Sequence, residues 1–145
     1  MKRLGIDPGA RHVGLAWHDD PVVPAHVLGT LAVRGPVQAV ESIAEVALRE
    51  GAEELVVGLP LRLDGREGAS ARSARKLARS LGERTGLPVV LWDERLTTAQ
   101  VLRARAEAGR RGREGIDAES AVVILQSYVD ATRGGSAWPP GPASE

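Results

Sequence analysis

Apolar positions along the chain follow two rhythms, one of short strand-like runs and one of helical stripes. "RLGI" and "VGLAW" read as two strands that return on each other across the tight turn "DPGARH". In that turn Pro8 fixes its own φ, and Gly9 makes a positive φ available. "AHVLGTLAV" is a third strand, set off by the proline-containing turn "HDDPVVP". "GPVQAVESIAEVALREG" then changes period: Val37, Val40, Ile43, Ala44, Ala47 and Leu48 make one helical stripe. Pro36 suits the first turn of that helix and Gly51 its end. "EELVVGLP" and "LPVVLW" are continuous apolar runs of the kind covered on both faces in a parallel sheet. The helix between them has a narrow stripe of Ala71, Ala74, Leu77, Ala78 and Leu81. "TTAQVLRARAEAG" predicts a third helix, "RRGREG" a flexible basic connector, and "IDAESAVVILQSYVDATRGG" a fourth helix. That last helix turns Ala121, Val122, Leu125, Tyr128 and Val129 inward, and "GSAWPPGPASE" reads as a disordered tail.

The resulting order, β-β-β-α-β-α-β-α-α, predicts an α/β fold with a mixed five-stranded sheet and helices on both faces. It fits one domain over residues 1–133, with 134–145 as the tail. Sites in open α/β sheets gather outside the carboxyl ends of the parallel strands. Asp7 ends the first predicted strand, and Asp93-Glu94 end the fifth. Acids therefore stand where a site is expected.

Composition adjusts this picture at a few points. Net charge is zero over 145 residues, yet Arg62 to Arg84 holds seven basic and three acidic residues, and Arg103 to Arg113 five and one. One basic face compatible with phosphates follows. Any single arginine there also reads as an ordinary solvated helix position. There is no cysteine, which excludes disulfides and cysteine-ligated metals. No leader pattern and no membrane-length apolar run is present, so the expectation is a cytoplasmic protein that does not engage membranes. Phe is absent, and the aromatic residues are Trp17, Trp92, Trp138 and Tyr128, too few for extensive base stacking.

Four stretches in order, "GIDPGARHVGLA", "VVGLPLRLDGREG", "DERLTTAQ" and "IDAESAVVILQSYVD", resemble the YqgF/RuvX family. That family is described both as Holliday-junction resolvases and as pre-16S ribosomal RNA nucleases. The resemblance runs from about Arg3 to Asp130 and implies a ribonuclease H-like fold similar to the RuvC resolvase. It also implies phosphodiester cleavage dependent on Mg²⁺ or Mn²⁺, with carboxylates from separate motifs as ligands and catalytic groups. Carried over by motif, these are Asp7, Glu94 in preference to its neighbour Asp93, and Asp117. Hard oxygen ligands suit such cations, and two ions about 3.5–4 Å apart can activate water and stabilise the leaving oxygen.

Each acid has a structural alternative. Asp7 can serve as a turn acceptor, and Asp117 is a good helix N-cap on local sequence alone. Asp93 and Glu94 alternate in direction if extended, so one enters the site and the other is free to pair with Arg95. Candidate phosphate contacts are Arg11, Arg66, Arg72, Lys76 and Arg95, with Arg110, Arg111 and Arg113 in the basic connector. Gly58, Gly65 and Gly68 are expected to let substrate approach the backbone of the loop after the fourth strand.

The leading reading is thus a nuclease acting on structured nucleic acid, either precursor ribosomal RNA or branched DNA. A nucleic-acid-binding module with little hydrolytic activity is the alternative. A nucleotide-binding protein of the sugar-kinase or actin type ranks below both, since the chain lacks the second domain and adenosine motifs. A homodimer would give a junction resolvase its paired sites, and sequence leaves that state open.

Overall fold

The computed structural model describes residues 1–97 and 113–133. Its strands are β1 (Arg3–Asp7), β2 (His12–His18), β3 (His26–Ala32), β4 (Glu54–Leu59) and β5 (Val89–Asp93). The helices are α1 (Pro36–Glu50), α2 (Ala69–Thr85) and α3 (Arg113–Arg133), with a 3-10 turn at Glu94–Leu96. The expected helix at "TTAQVLRARAEAG", all but its first residue, and the expected tail lie outside the described residues. Among the described residues, no helix is long and apolar enough to cross a membrane.

The sheet has the order β3-β2-β1-β4-β5. β2 is antiparallel to both β1 and β3, while β1, β4 and β5 run parallel. The carboxyl ends of β1, β4 and β5 therefore share one edge. Strand alternation divides the residues between two cores. Leu4, Ile6, Leu55, Val57, Val89 and Leu91 pack with Ile43, Ala44 and Ala47 of α1 and with Ala71, Ala74, Ala78 and Leu81 of α2. Ala16, Val56 and Trp92 pack on the other face with Ala121, Ile124, Leu125 and Tyr128 of α3.

Helix α1 starts with Pro36 and stops at Gly51, whose left-handed φ of 76° sends its N–H back to the Ala47 and Leu48 carbonyls. The expected stripe is rotated, however. Ala39 and Val46 are buried, whereas Val37 is 80% and Leu48 51% exposed. With small alanines among the apolar set, several helical phases satisfy the same pattern, and packing against α2 selects one.

Helix α3 approaches the sheet over glycines on three adjacent strands. A Cβ on Gly5 would lie 2.7 Å from Leu125 Cβ, and one on Gly58 2.6 Å from Ile124 Cδ1. On Gly14 it would collide with the backbone carbonyl of Asp117. These glycines set the depth at which the helix sits. Two local expectations are corrected. Gly9 is not among the positive-φ glycines; it is required because a Cβ there would strike the His12 carbonyl. The connector expected through Gly115 is already helical from Arg113, so Asp117 is the fifth residue of α3 and not its N-cap.

Candidate active site

Asp7 is the last residue of β1 and is 1% exposed. Leu4 and Ile6 face α1 and α2, while Gly5 faces Leu125 of α3. By alternation Asp7 shares the α3 side with Gly5. It pairs in register with Gly14 of β2, and on β4 it stands one step beyond the last pair, Ile6 with Val57, level with Gly58.

Glu94 follows β5 in the 3-10 turn and is fully buried. Its side chain folds over β4: a Cβ on Gly58 would stand 3.2 Å from both Glu94 Cγ and Cδ. The open face of Gly58 is thus taken by Glu94 and Ile124, which corrects its expected role in admitting substrate. Burial, with the charge of Asp93 adding to it, pushes the Glu94 carboxyl up to about 8.

Asp93 goes the other way. It lies on the strand face of Val89 and Leu91 and caps the 3-10 turn by accepting from Arg95 N–H at 2.9 Å. The Arg95 guanidinium donates to the same carboxylate, with Nη2 at 2.7 Å and Nε at 3.1 Å. That hydrogen bond raises the Arg95 pKa above its ordinary value. Arg95 Nη1 also reaches the Leu63 carbonyl at 3.5 Å, which ties the turn to the loop after β4. The pair of neighbours in "DER" is therefore split, Asp93 to structure and Glu94 to the buried face.

Asp117 is half-buried on α3, and its backbone carbonyl is pressed onto Gly14, the partner of Asp7. Asp7, Glu94 and the first turns of α3 thus meet on one face at one edge of the sheet. Among the described residues no three His, Asp or Glu side chains form a group able to hold a metal ion.

The basic candidates distribute around this edge unevenly. Arg11 is exposed in the β1–β2 turn. Arg66 is 80% exposed on the side chain, 3.7 Å from Asp64, and Arg72 opens α2 with a long 3.5 Å contact to the Glu67 carbonyl. Lys76 is exposed two turns into α2, farther from the edge, while its neighbour Arg75 is held by Glu67 at 2.8 Å. Arg110 and Arg111 lie outside the described residues, and Arg113 is the first residue of α3. Sequence reasoning missed Gly5 and Gly14, although glycine inside a strand is itself the signal of close backbone approach.

The RuvX family profile, described as "Holliday junction resolvase", matches residues 1–131. The chain belongs to the RuvX family. A relative from Anaeromyxobacter dehalogenans (strain 2CP-C), named "Putative pre-16S rRNA nuclease", is 44% identical over 133 residues, covering 90% of this chain and 97% of the relative. A relative of the same name from Pelotomaculum thermopropionicum is 42% identical, covering 90% and 88%. Among solved structures, Thermus thermophilus RuvC in complex with a Holliday junction substrate superposes with a TM-score of 0.66. At 21% identity, over 98% of this chain and 99% of that one, the likeness is one of fold: the RuvX chain has the ribonuclease H-like architecture of RuvC.

Proposed function

We propose that this chain is a divalent-metal-dependent nuclease that hydrolyses phosphodiester bonds of structured nucleic acid in the cytoplasm. The observation that supports it most is the burial of Asp7 and Glu94 on one face at the carboxyl edge of the sheet. Two carboxylates beside a phosphate-binding edge would repel a polyanion, so a pure binding module gains nothing from them. With a cation between, the same acids become useful.

The donor set suits Mg²⁺ or Mn²⁺. Its oxygens are hard, and Mg²⁺ is commonly held by one or two carboxylates together with substrate phosphates. Asp7 and Glu94 would hold the ion; Asp117, the third ligand that the family resemblance implies, stands on α3 outside any three-carboxylate group of the described residues. A divalent ion held there would supply positive charge to the scissile phosphate and to its attacking and leaving oxygens. The chain's own residues do the rest. Arg11, Arg66, Arg72 and Arg95 border the edge and position phosphates, with Lys76, Arg110, Arg111 and Arg113 extending the track. Burial of Glu94 excludes competing water from its carboxyl.

The names of the relatives and of the family point to two substrates, precursor 16S ribosomal RNA and a four-way DNA junction. Labelled forms of both, incubated with and without Mg²⁺ or Mn²⁺, test the proposal. Cation-dependent cleavage of at least one is expected. Tight binding without cleavage at any cation concentration would favour the binding module. Solution mass measured alongside reports whether a dimer supplies the paired sites a junction needs.

A further inference from the structure

Ser120 lies on α3, is wholly buried, and its hydroxyl oxygen has no hydrogen-bond partner among the described residues. A serine inside a helix usually returns its hydroxyl to the carbonyl one turn back. This one does not. Alanines at positions 118 and 121 are accommodated in the same helix, so a hydroxyl here needs another reason.

Its position supplies one. The Asp117 carbonyl lies on Gly14 of β2, and Ile124 lies on Gly58 of β4. Asp7 of β1 is the residue between those two glycines in the sheet. The Ala121 carbonyl stands over Gly5, one same-face position before Asp7. Ser120 precedes Ala121 and falls midway between Asp117 and Ile124 on the buried stripe of the helix. That places it over Asp7, beside the carboxyl of Glu94. Asp7 and Glu94 are the only carboxylates buried on this side of the sheet among the described residues.

We propose that Ser120 is a positioning residue of the candidate active site, its hydroxyl holding a water in the hydration shell of a divalent cation carried by Asp7 and Glu94. The inference rests on the nuclease reading above. Mg²⁺ and Mn²⁺ retain several waters when bound by few carboxylates, and outer partners of that kind fix the geometry of the ligands. A hydroxyl both donates and accepts, so it can satisfy such a water whichever way the water turns. An alanine in its place would leave the protein folded and the ion less well held.

The test is Mn²⁺ binding to the full-length protein in the absence of nucleic acid, by calorimetry, with thermal melting of each metal-free sample. Ser120→Ala is expected to weaken Mn²⁺ binding about tenfold, while its metal-free midpoint stays equal to or above that of wild type. Asp7→Asn is expected to abolish binding. Wild-type Mn²⁺ affinity in Ser120→Ala, with binding lost in Asp7→Asn, would overturn the role of Ser120 and leave the nuclease reading standing. A large fall in the metal-free midpoint of Ser120→Ala would assign the hydroxyl to structure and overturn the proposal as well. No Mn²⁺ binding by wild type would overturn both.

Discussion

Glu94 concentrates the electrostatic tension of the candidate site. Its carboxyl is raised from 4.5 to about 8, first by burial and then by the neighbouring Asp93 charge. The native protein therefore binds more protons than the unfolded chain between those values. Stability from this group is fully present below the unfolded pKa and is lost as pH rises toward 8. The denaturation midpoint of the metal-free protein should thus fall between roughly pH 5 and pH 8, and Glu94→Gln should flatten that decline. A midpoint level across this range in wild type would contradict the assignment. That Asp93 and Glu94 part to opposite faces was legible in sequence from strand alternation, while the preference for Glu94 came from the family motif. The pairing of the other acid with Arg95 was expected too; what sequence could not supply was its form, Arg95 binding Asp93 through its backbone N–H and its guanidinium together. That depends on the chain turning sharply after β5, and "DERLTT" does not announce such a turn.

Among the elements, α3 ties the sheet to the site, and the strand glycines determine how closely. Gly14→Ala would drive a methyl group into the Asp117 carbonyl. Overpacking of this kind costs about 1–3 kcal/mol, and the backbone of α3 must shift away from β2. We predict a lowered urea midpoint and a loss of cleavage that persists at temperatures where the variant is fully folded. Activity equal to wild type under those conditions would show that the seating of α3 is immaterial to the site. The strands and the ends of α1 were readable because period, Pro36 and Gly51 all agree. The face of α1 was not, since alanine carries little information about direction and Val37 projects into solvent. The start of α3 was misplaced for a different reason. Arg113, Glu114 and Gly115 look like connector, and Asp117, a residue that favours caps, drew the expected boundary to Ile116, three positions beyond Arg113.

For the whole molecule, a net charge of zero conceals two buried acids, Asp7 and Glu94, at the sheet edge, and the exposed Arg11, Arg66 and Arg72, which we propose as a basic rim. The rim should govern affinity and its salt dependence, because each phosphate neutralised releases counterions. Arg66→Ala combined with Arg72→Ala is predicted to weaken substrate binding and to reduce the slope of log K against log salt by up to about 1.8 for a duplex. An unchanged slope would move the phosphate track to other arginines. The fold class was legible because the order of strands and helices is nearly diagnostic, and the family follows from motifs that the profile matches over residues 1–131. The convergence of Asp7 and Glu94 was expected from their motifs, but the glycines that make room for it became apparent only from strand register. The two acids, on the nuclease reading proposed above, act as one cation-holding unit. The most direct test of this claim is single-turnover cleavage at saturating Mg²⁺ by wild type, Asp7→Asn, Glu94→Gln and the double variant. Each single variant should lose about 100-fold or more, and the double variant should lose no more than the worse single, as groups acting together do. Near-wild-type cleavage by either single variant, or losses that simply add, would contradict it.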